Sequence, residues 1–116
     1  MYYGKGYGVM ANVFNSARYV LKKCGAMSTW KLQKLCYYSQ AWSLAWTGEP
    51  IFSEDFEAWS NGPVSPDLFR VHKGKFVVSL SDISSSYESE PPLTADQIET
   101  IDRVLKTYGS WQPYEL

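Results

Sequence analysis

The sequence predicts a mainly α-helical domain with a small β element, an α+β fold that contains a short two- or three-stranded sheet. Three stretches, 10–24, 30–46 and 94–108, carry apolar residues at helical spacing, and a glycine follows each within two residues. Between residues 50 and 66, three prolines exclude long helices. The length of 116 residues, 45% of them hydrophobic and 20% charged, fits one folded domain. We expect a compact domain over residues 10–116 and a flexible Tyr- and Gly-rich arm over residues 1–9.

The first helix is predicted to begin near Met10 and to end at Gly25. Apolar residues that recur every three or four positions place one face of this helix against the core. That face comprises Met10, Phe14, Ala17, Leu21 and Cys24. The polar residues are expected on the other side of the helix. They are Asn12, Asn15, Ser16, Arg18, Lys22 and Lys23.

The second helix is predicted to be the central element of the fold, over Trp30–Trp46. Ser28 or Thr29 can cap its start, and Gly48 followed by Pro50 ends it. Over its second half the helix is apolar nearly all round, which is typical of a buried central helix. Its main stripe is Leu32, Leu35, Cys36, Ser39, Trp42, Ala45 and Trp46. We expect Leu35 and Trp42 to be buried on this stripe.

The segment after this helix is predicted to form two short strands or one small hairpin. Ile51, Phe52, Phe56, Ala58 and Trp59 alternate as strand residues do, and the sequence Asn-Gly-Pro at 61–63 breaks the chain sharply. The glycine of this turn, residue 62, is expected to have a positive φ angle.

A short helix and a last strand are predicted next. Ser65 can cap the helix with Pro66 as its first residue, and the helix then runs from Asp67 to about Lys73. A short strand is expected among Phe76, Val77, Val78, Leu80 and Ile83, and the Ser-rich, acidic remainder of residues 79–92 is expected to be a surface loop.

The last predicted helix begins at Thr94, with Gln97 three residues on as a capping box, and ends at Gly109. Its buried face is expected to contain Ile98, Ile101, Leu105 and Tyr108.

No set of residues suited to catalysis or metal binding stands out, and no cofactor is predicted. The chain has two cysteines and one histidine, too few for a zinc site. Cys24 and Cys36 are expected to be buried, reduced thiols, and His72 is expected to face solvent. A carboxylate-dependent enzyme is the least favoured alternative, which rests on acidic side chains that cluster around the first strand region. They are Glu49, Glu54, Asp55 and Glu57.

Charge and hydropathy restrict the partners and the location. The net charge of −1 and the isoelectric point near 5.8 argue against broad nucleic-acid binding, which needs an excess of Lys and Arg on one face. No apolar run reaches the roughly 18 residues of a membrane span, and the first ten residues lack a leader sequence. We therefore expect a cytoplasmic protein. Five Trp, nine Tyr and five Phe exceed what a small core hides, as is typical of a protein interface.

Two motifs carry a resemblance to a known family. KLQKLCYYSQAWSLAWTGEPIF runs from Lys31 to Phe52, and EAWSNGPVSPDLFRVHK runs from Glu57 to Lys73. In this order and at this distance the two motifs resemble the Panacea domain of phage-associated, GepA-like and toxin–antitoxin proteins. The resemblance covers residues 10 to about 75 and, with fewer matching positions, the last helix. The family usually continues to a Thr-His and a Pro-Trp, so we expect a member shortened at its C-terminus.

The resemblance implies a mostly helical domain that neutralises a toxin encoded beside it by direct binding, without being an enzyme. Related members are described as adaptors that hand a toxin to a protease, which is one alternative. A DNA-binding autorepressor is a second alternative, and the carboxylate-dependent enzyme is a third.

The candidate partner-binding residues lie in the two family motifs, off the main core stripe. In motifs of this kind, residues can serve the fold as readily as the partner. We expect one face, built from the second helix and the 61–70 segment, to contact the toxin. The candidates are Lys31, Lys34, Tyr37, Tyr38, Trp59, Asn61, Phe69 and Arg70.

Overall fold

The computed structural model describes residues 11–88 and 93–112, and the predicted α+β class with a small β element is confirmed. The α-helices are α1 (Val13–Cys24), α2 (Thr29–Thr47), α3 (Pro66–His72) and α4 (Ala95–Tyr108). The strands are β1 (Met27–Ser28), β2 (Glu57–Trp59), β3 (Gly62–Val64) and β4 (Val77–Val78). Two 3-10 turns lie at Leu80–Asp82 and Ser85–Glu88. The predicted arm over residues 1–9, Met10 and residues 89–92 and 113–116 lie outside the described residues.

Helix α1 begins at Val13, three residues later than predicted. Asn12 caps it, since its side chain accepts from the backbone of Asn15 at 3.0 Å. Glu54 also contributes, because its carboxylate accepts from the backbone of Val13 at 3.0 Å. This negative charge lies at the positive end of the helix dipole.

The prediction that the polar residues of α1 face away from the core was wrong for Asn15, Ser16 and Arg18, which are buried. The 3-10 turns pack on that side of the helix, and their carbonyl groups need donors. Arg18 Nη1 donates to the carbonyl of Leu80 at 3.1 Å and also to that of Ile83. The prediction that Cys24 is buried was also wrong, since it is exposed at the helix end, whereas Cys36 is fully buried as expected.

The first half of α2 forms the centre of the core. Ser28 caps it, and Gly48 ends it with a φ of 76°. Leu32, Leu35 and Cys36 are completely buried. Helix α2 packs against both α1 and α4, and the predicted burial of Leu35 is confirmed.

The second half of α2 is not the buried central helix that its composition predicts. Trp42 is only half-buried, and Ala45 and Trp46 are exposed. The rings of Trp42 and Trp46 contact each other at 4.7 Å between centroids, and the guanidinium of Arg103 lies 5.3 Å from the Trp46 ring. Contacts among these side chains, and not burial in the core, therefore cover part of the apolar surface of this half of α2.

The predicted hairpin is confirmed as the antiparallel pair β2–β3, with Trp59 opposite Gly62. Ile51 and Phe52 are buried but do not belong to a strand, contrary to the alternation pattern. The side chain of Gln40 explains this, because its Oε1 accepts from both backbone amides and its Nε2 donates to the carbonyl of Phe52 at 2.7 Å. One glutamine on α2 thus replaces the pairing that a neighbouring strand would supply.

Helix α3 follows the prediction, with Ser65 as its cap and Pro66 as its first residue. The predicted strand near residue 77 exists as β4, and it pairs with β1, which the sequence did not predict. The backbone of Thr29 donates to the carbonyl of Phe76 at 2.9 Å. This pairing holds the start of α2 beside the segment that follows α3.

Helix α4 begins with the predicted capping box, in which the backbone of Gln97 donates to Thr94 at 3.2 Å. Its buried residues include Ile101, as expected, and Val104, which was not predicted. Ile98, Leu105 and Tyr108 are only half-buried, so the face is rotated slightly from the predicted one.

We expect Gly62→Val to lower the free energy of unfolding by about 1–3 kcal/mol, the usual cost of a residue held in an unfavourable backbone region. Gly62 has a φ of 120°, which confirms the predicted positive angle. An added Cβ would lie 3.5 Å from Lys34 Cε, an ordinary contact, so the cost comes from the backbone. Urea unfolding measures it. Ala58→Val is the control, because it places a valine at an ordinary strand position of the same hairpin. Equal stability of the two variants would contradict the argument.

Candidate functional site

A groove of about 250 Å³ opens beside the β2–β3 hairpin. Four segments line it: the start of α2 (29–34), the hairpin (59–64), α3 (69–72) and the residues that lead into β4 (74–76). We refer to it as the hairpin groove. The β1–β4 pairing and the hairpin bring these segments together, although they lie up to 47 residues apart in the chain.

The polar side of the hairpin groove is a buried network around Gln33. Its Oε1 accepts from the backbone of Ser65 at 2.8 Å, and its Nε2 donates to the carbonyl of Ser65 at 3.3 Å. The same Nε2 lies 2.9 Å from Nε2 of His72. Because an amide nitrogen only donates, His72 Nε2 accepts and the ring is neutral. The network ties α3 to α2.

The prediction that His72 faces solvent was wrong, because the residue is 4% exposed. The last turn of α3 directs it towards α2, where Gln33 supplies a partner. Burial lowers the pKa of His72 below its usual value, because the charged ring would lose its hydration.

The aromatic wall of the hairpin groove consists of Trp59 and Phe69. Their rings meet edge to face at 5.0 Å, and Phe69 meets His72 in the same way at 5.4 Å. The indole N–H of Trp59 donates to Glu57 at 2.9 Å, which holds the ring in place. Trp59 is nevertheless 40% exposed.

The rim of the hairpin groove carries two more rings, from Trp30 and Phe76, which are 56% and 91% exposed. Sequence reasoning missed both residues. Trp30 lies off the apolar stripe of α2, and this position could have indicated that its side chain is exposed. Phe76 offered no such signal, because its apolar neighbours in the sequence predict a strand that packs on the core.

The charged groups of the rim are basic. Lys34 and Lys75 line the hairpin groove, and no carboxylate belongs to its described lining. The ammonium group of Lys75 lies 3.4 Å from the carboxylate of Asp82. The charge of Lys75 is thus matched by a carboxylate of the same chain.

The structure gathers only some of the sequence-derived candidates in this groove. Lys34, Trp59, Asn61 and Phe69 line it. The other four lie elsewhere. Lys31 is half-buried outside the lining, Tyr37 contacts Phe56, Tyr38 contacts Tyr108 on α4, and Arg70 pairs with Asp67 at 2.7 Å.

The carboxylates that suggested an enzyme have separate structural partners. Glu54 caps α1 and Glu57 accepts from Trp59. Among the residues that the structure describes, no group of three or more His, Cys, Asp and Glu side chains could hold a metal ion. In the same part of the chain, no helix has both the length and the apolar character that a membrane span requires.

Fold and site together define a small, mainly α domain that presents an aromatic groove with a basic rim beside a β-hairpin. A family model described as "Antitoxin SocA-like, Panacea domain" matches residues 32–116, and the chain belongs to this family. The resemblance seen in the sequence motifs is thereby confirmed. Of the four segments of the hairpin groove, all but residues 29–31 lie within the match.

A curated relative, Antitoxin SocA of Caulobacter vibrioides (strain NA1000 / CB15N), is 33% identical over 112 aligned residues. The alignment covers 86% of this chain and 60% of the relative, so the chain spans about 60% of the length of that protein. No solved structure matches the chain significantly.

The lowered pKa of His72 predicts that acid destabilises the fold. The unfolded state takes up the proton near its ordinary pKa of 6.5, whereas the folded state resists it. The stability that neutral His72 contributes is therefore fully present above the ordinary pKa of 6.5. It is lost as the pH falls towards the lower pKa of the folded state. We expect the wild type to lose more thermal stability than His72→Gln between about pH 7.5 and pH 5.5, where this histidine is the main titrating side chain. Melting curves at both pH values measure this, and parallel losses would contradict it.

Proposed function

We propose that the chain acts as an antitoxin-like domain that neutralises a cognate protein toxin by direct binding in the hairpin groove. The observation that carries the proposal is the exposure of Trp30 and Phe76 at the mouth of a groove whose wall contains Trp59. The family to which the chain belongs, and the relative described as Antitoxin SocA, support the antitoxin role.

Exposed rings of this size are suited to a protein interface. Phe76 is 91% exposed, so its ring adds little to the core and much to a surface that loses water on binding. Binding energy at protein interfaces concentrates in a few aromatic and Arg residues around a desolvated centre. Trp59 and Phe69 form the wall of the hairpin groove and Trp30 and Phe76 lie at its rim, so a partner bound here would cover all four rings.

The hairpin groove is also largely preformed. Gln33 bonds to both backbone groups of Ser65, and Trp59 is held by Glu57. Side chains that are already ordered lose little conformational entropy when a partner binds. This rigidity favours binding by contact with the existing surface.

Co-expression with the product of the neighbouring toxin gene tests the proposal. We expect the chain to restore growth, to co-purify with the toxin and to leave the amount of toxin in the cell unchanged. If the toxin disappears and its loss requires a protease, the chain is a proteolytic adaptor. If growth recovers only through lower transcription of the toxin gene, the chain is a DNA-binding autorepressor. Either outcome would overturn neutralisation by binding alone.

A further inference from the structure

Strand β2 has one paired edge and one edge that no other described strand covers. Of the strands in residues 11–88 and 93–112, only β3 pairs with it. All three of its residues, Glu57 to Trp59, are exposed. An uncovered strand edge presents backbone donors and acceptors to which another extended chain can pair.

The register shows which backbone groups face outwards. Ala58 lies opposite Pro63, which has no N–H to donate. In an antiparallel pair, residues alternate between positions that exchange two hydrogen bonds and positions that exchange none. Because Pro63 cannot donate, Ala58 and Pro63 form a pair with no hydrogen bond between their backbones. The N–H and C=O of Ala58 therefore point away from β3.

A strand added at this edge would lie beside the hairpin groove. Side chains alternate across a strand, so Glu57 and Trp59 share one face and Ala58 occupies the other. The hydrogen bond between the side chains of Glu57 and Trp59 agrees with this placement. Trp59 lines the groove, so every second side chain of an added strand would project on the groove side.

We infer that the partner enters as an extended segment that pairs with the free edge of β2 and directs alternate side chains towards the hairpin groove. This inference rests on the proposed function, because the toxin supplies the segment. Backbone pairing provides affinity at such an edge, and side chains that reach adjacent pockets provide specificity.

Amide hydrogen exchange of the wild-type chain, alone and mixed with the purified product of the neighbouring toxin gene, tests the inference. We expect the amide of Ala58 to exchange rapidly in the free chain and to become at least about tenfold more protected in the complex. If a complex forms while this amide keeps its free exchange rate, strand pairing is wrong and the proposed function stands. If no complex forms, the proposed function itself fails.

Two substitutions at the same position provide an independent measurement. Ala58→Pro removes the outward N–H without breaking a bond to β3, whereas Ala58→Val keeps the N–H and suits a strand. We expect Ala58→Pro to bind the toxin about tenfold more weakly than Ala58→Val, the effect of losing one well-made hydrogen bond. Equal affinities in two folded variants would overturn the inference. If Ala58→Pro does not fold, the exchange of the wild-type amide decides.

Discussion

Replacing Leu35 with alanine is expected to lower the free energy of unfolding by about 2–5 kcal/mol, the range for truncation of a buried leucine. Leu35 is completely buried on α2, the helix that packs against both α1 and α4. The truncation leaves a cavity that the surrounding helices cannot close without moving. Urea unfolding of the purified variant measures the loss, with the slope of the transition checked against wild type.

Leu44→Ala is the matched control for this prediction. Leu44 lies on the same helix but is 46% exposed, so the same truncation should cost less than about 1 kcal/mol. If the two variants unfold at the same urea concentration, Leu35 does not belong to the core as described. A large loss in Leu44→Ala alone would indicate that the second half of α2 is covered by another surface.

Replacing Trp59 with alanine is expected to weaken toxin binding by about 30-fold or more, the effect of a hot-spot residue worth at least 2 kcal/mol. Trp59 forms the wall of the hairpin groove and supports Phe69 through an edge-to-face contact at 5.0 Å. Its loss removes contact area and lets the wall relax. Isothermal titration with the purified toxin measures the dissociation constant.

Trp46→Ala is the control for this second prediction. Trp46 is 45% exposed, close to the 40% of Trp59, but it lies at the far end of α2, outside the lining of the hairpin groove. We expect it to bind the toxin within about threefold of wild type, since residues outside an interface centre contribute little. Both variants must first melt as folded proteins. If Trp46→Ala loses binding and Trp59→Ala retains it, the interface lies on α2 and α4 instead.

Local signals in the sequence predicted the helices and the hairpin correctly. Ser65 before a proline, Thr94 before Gln97 and glycine at 48 and 62 each specify a backbone geometry within a few residues. Such signals depend on short-range hydrogen bonds and allowed φ angles. They need no knowledge of which elements pack together.

Burial could be predicted only where the pattern of one helix sufficed. Arg18 and His72 are polar, so the sequence predicts exposure, yet each is buried by a distant partner: the carbonyls of the 3-10 turns in one case and Gln33 in the other. The prediction for Trp46 was wrong in the opposite sense, because this apolar residue is exposed where no described element covers it. These outcomes depend on tertiary contacts between segments far apart in the chain.

The same reason limited the prediction of the site. The family motifs contained Lys34, Trp59, Asn61 and Phe69, which line the hairpin groove. Trp30 and Phe76 complete its rim, and they meet there only because β1 pairs with β4. Two-residue strands carry too little alternation to be recognised in a sequence.

The most direct test of toxin neutralisation by binding is a titration of purified wild-type chain with purified toxin, with no third component present. We expect a saturable heat of binding and a single complex in size-exclusion chromatography, with binding weaker by about 30-fold or more in Trp59→Ala. No binding in the purified mixture, despite growth rescue in cells that express both proteins, would contradict it. Protection of the cells from the toxin would then depend on a protease or another cellular partner.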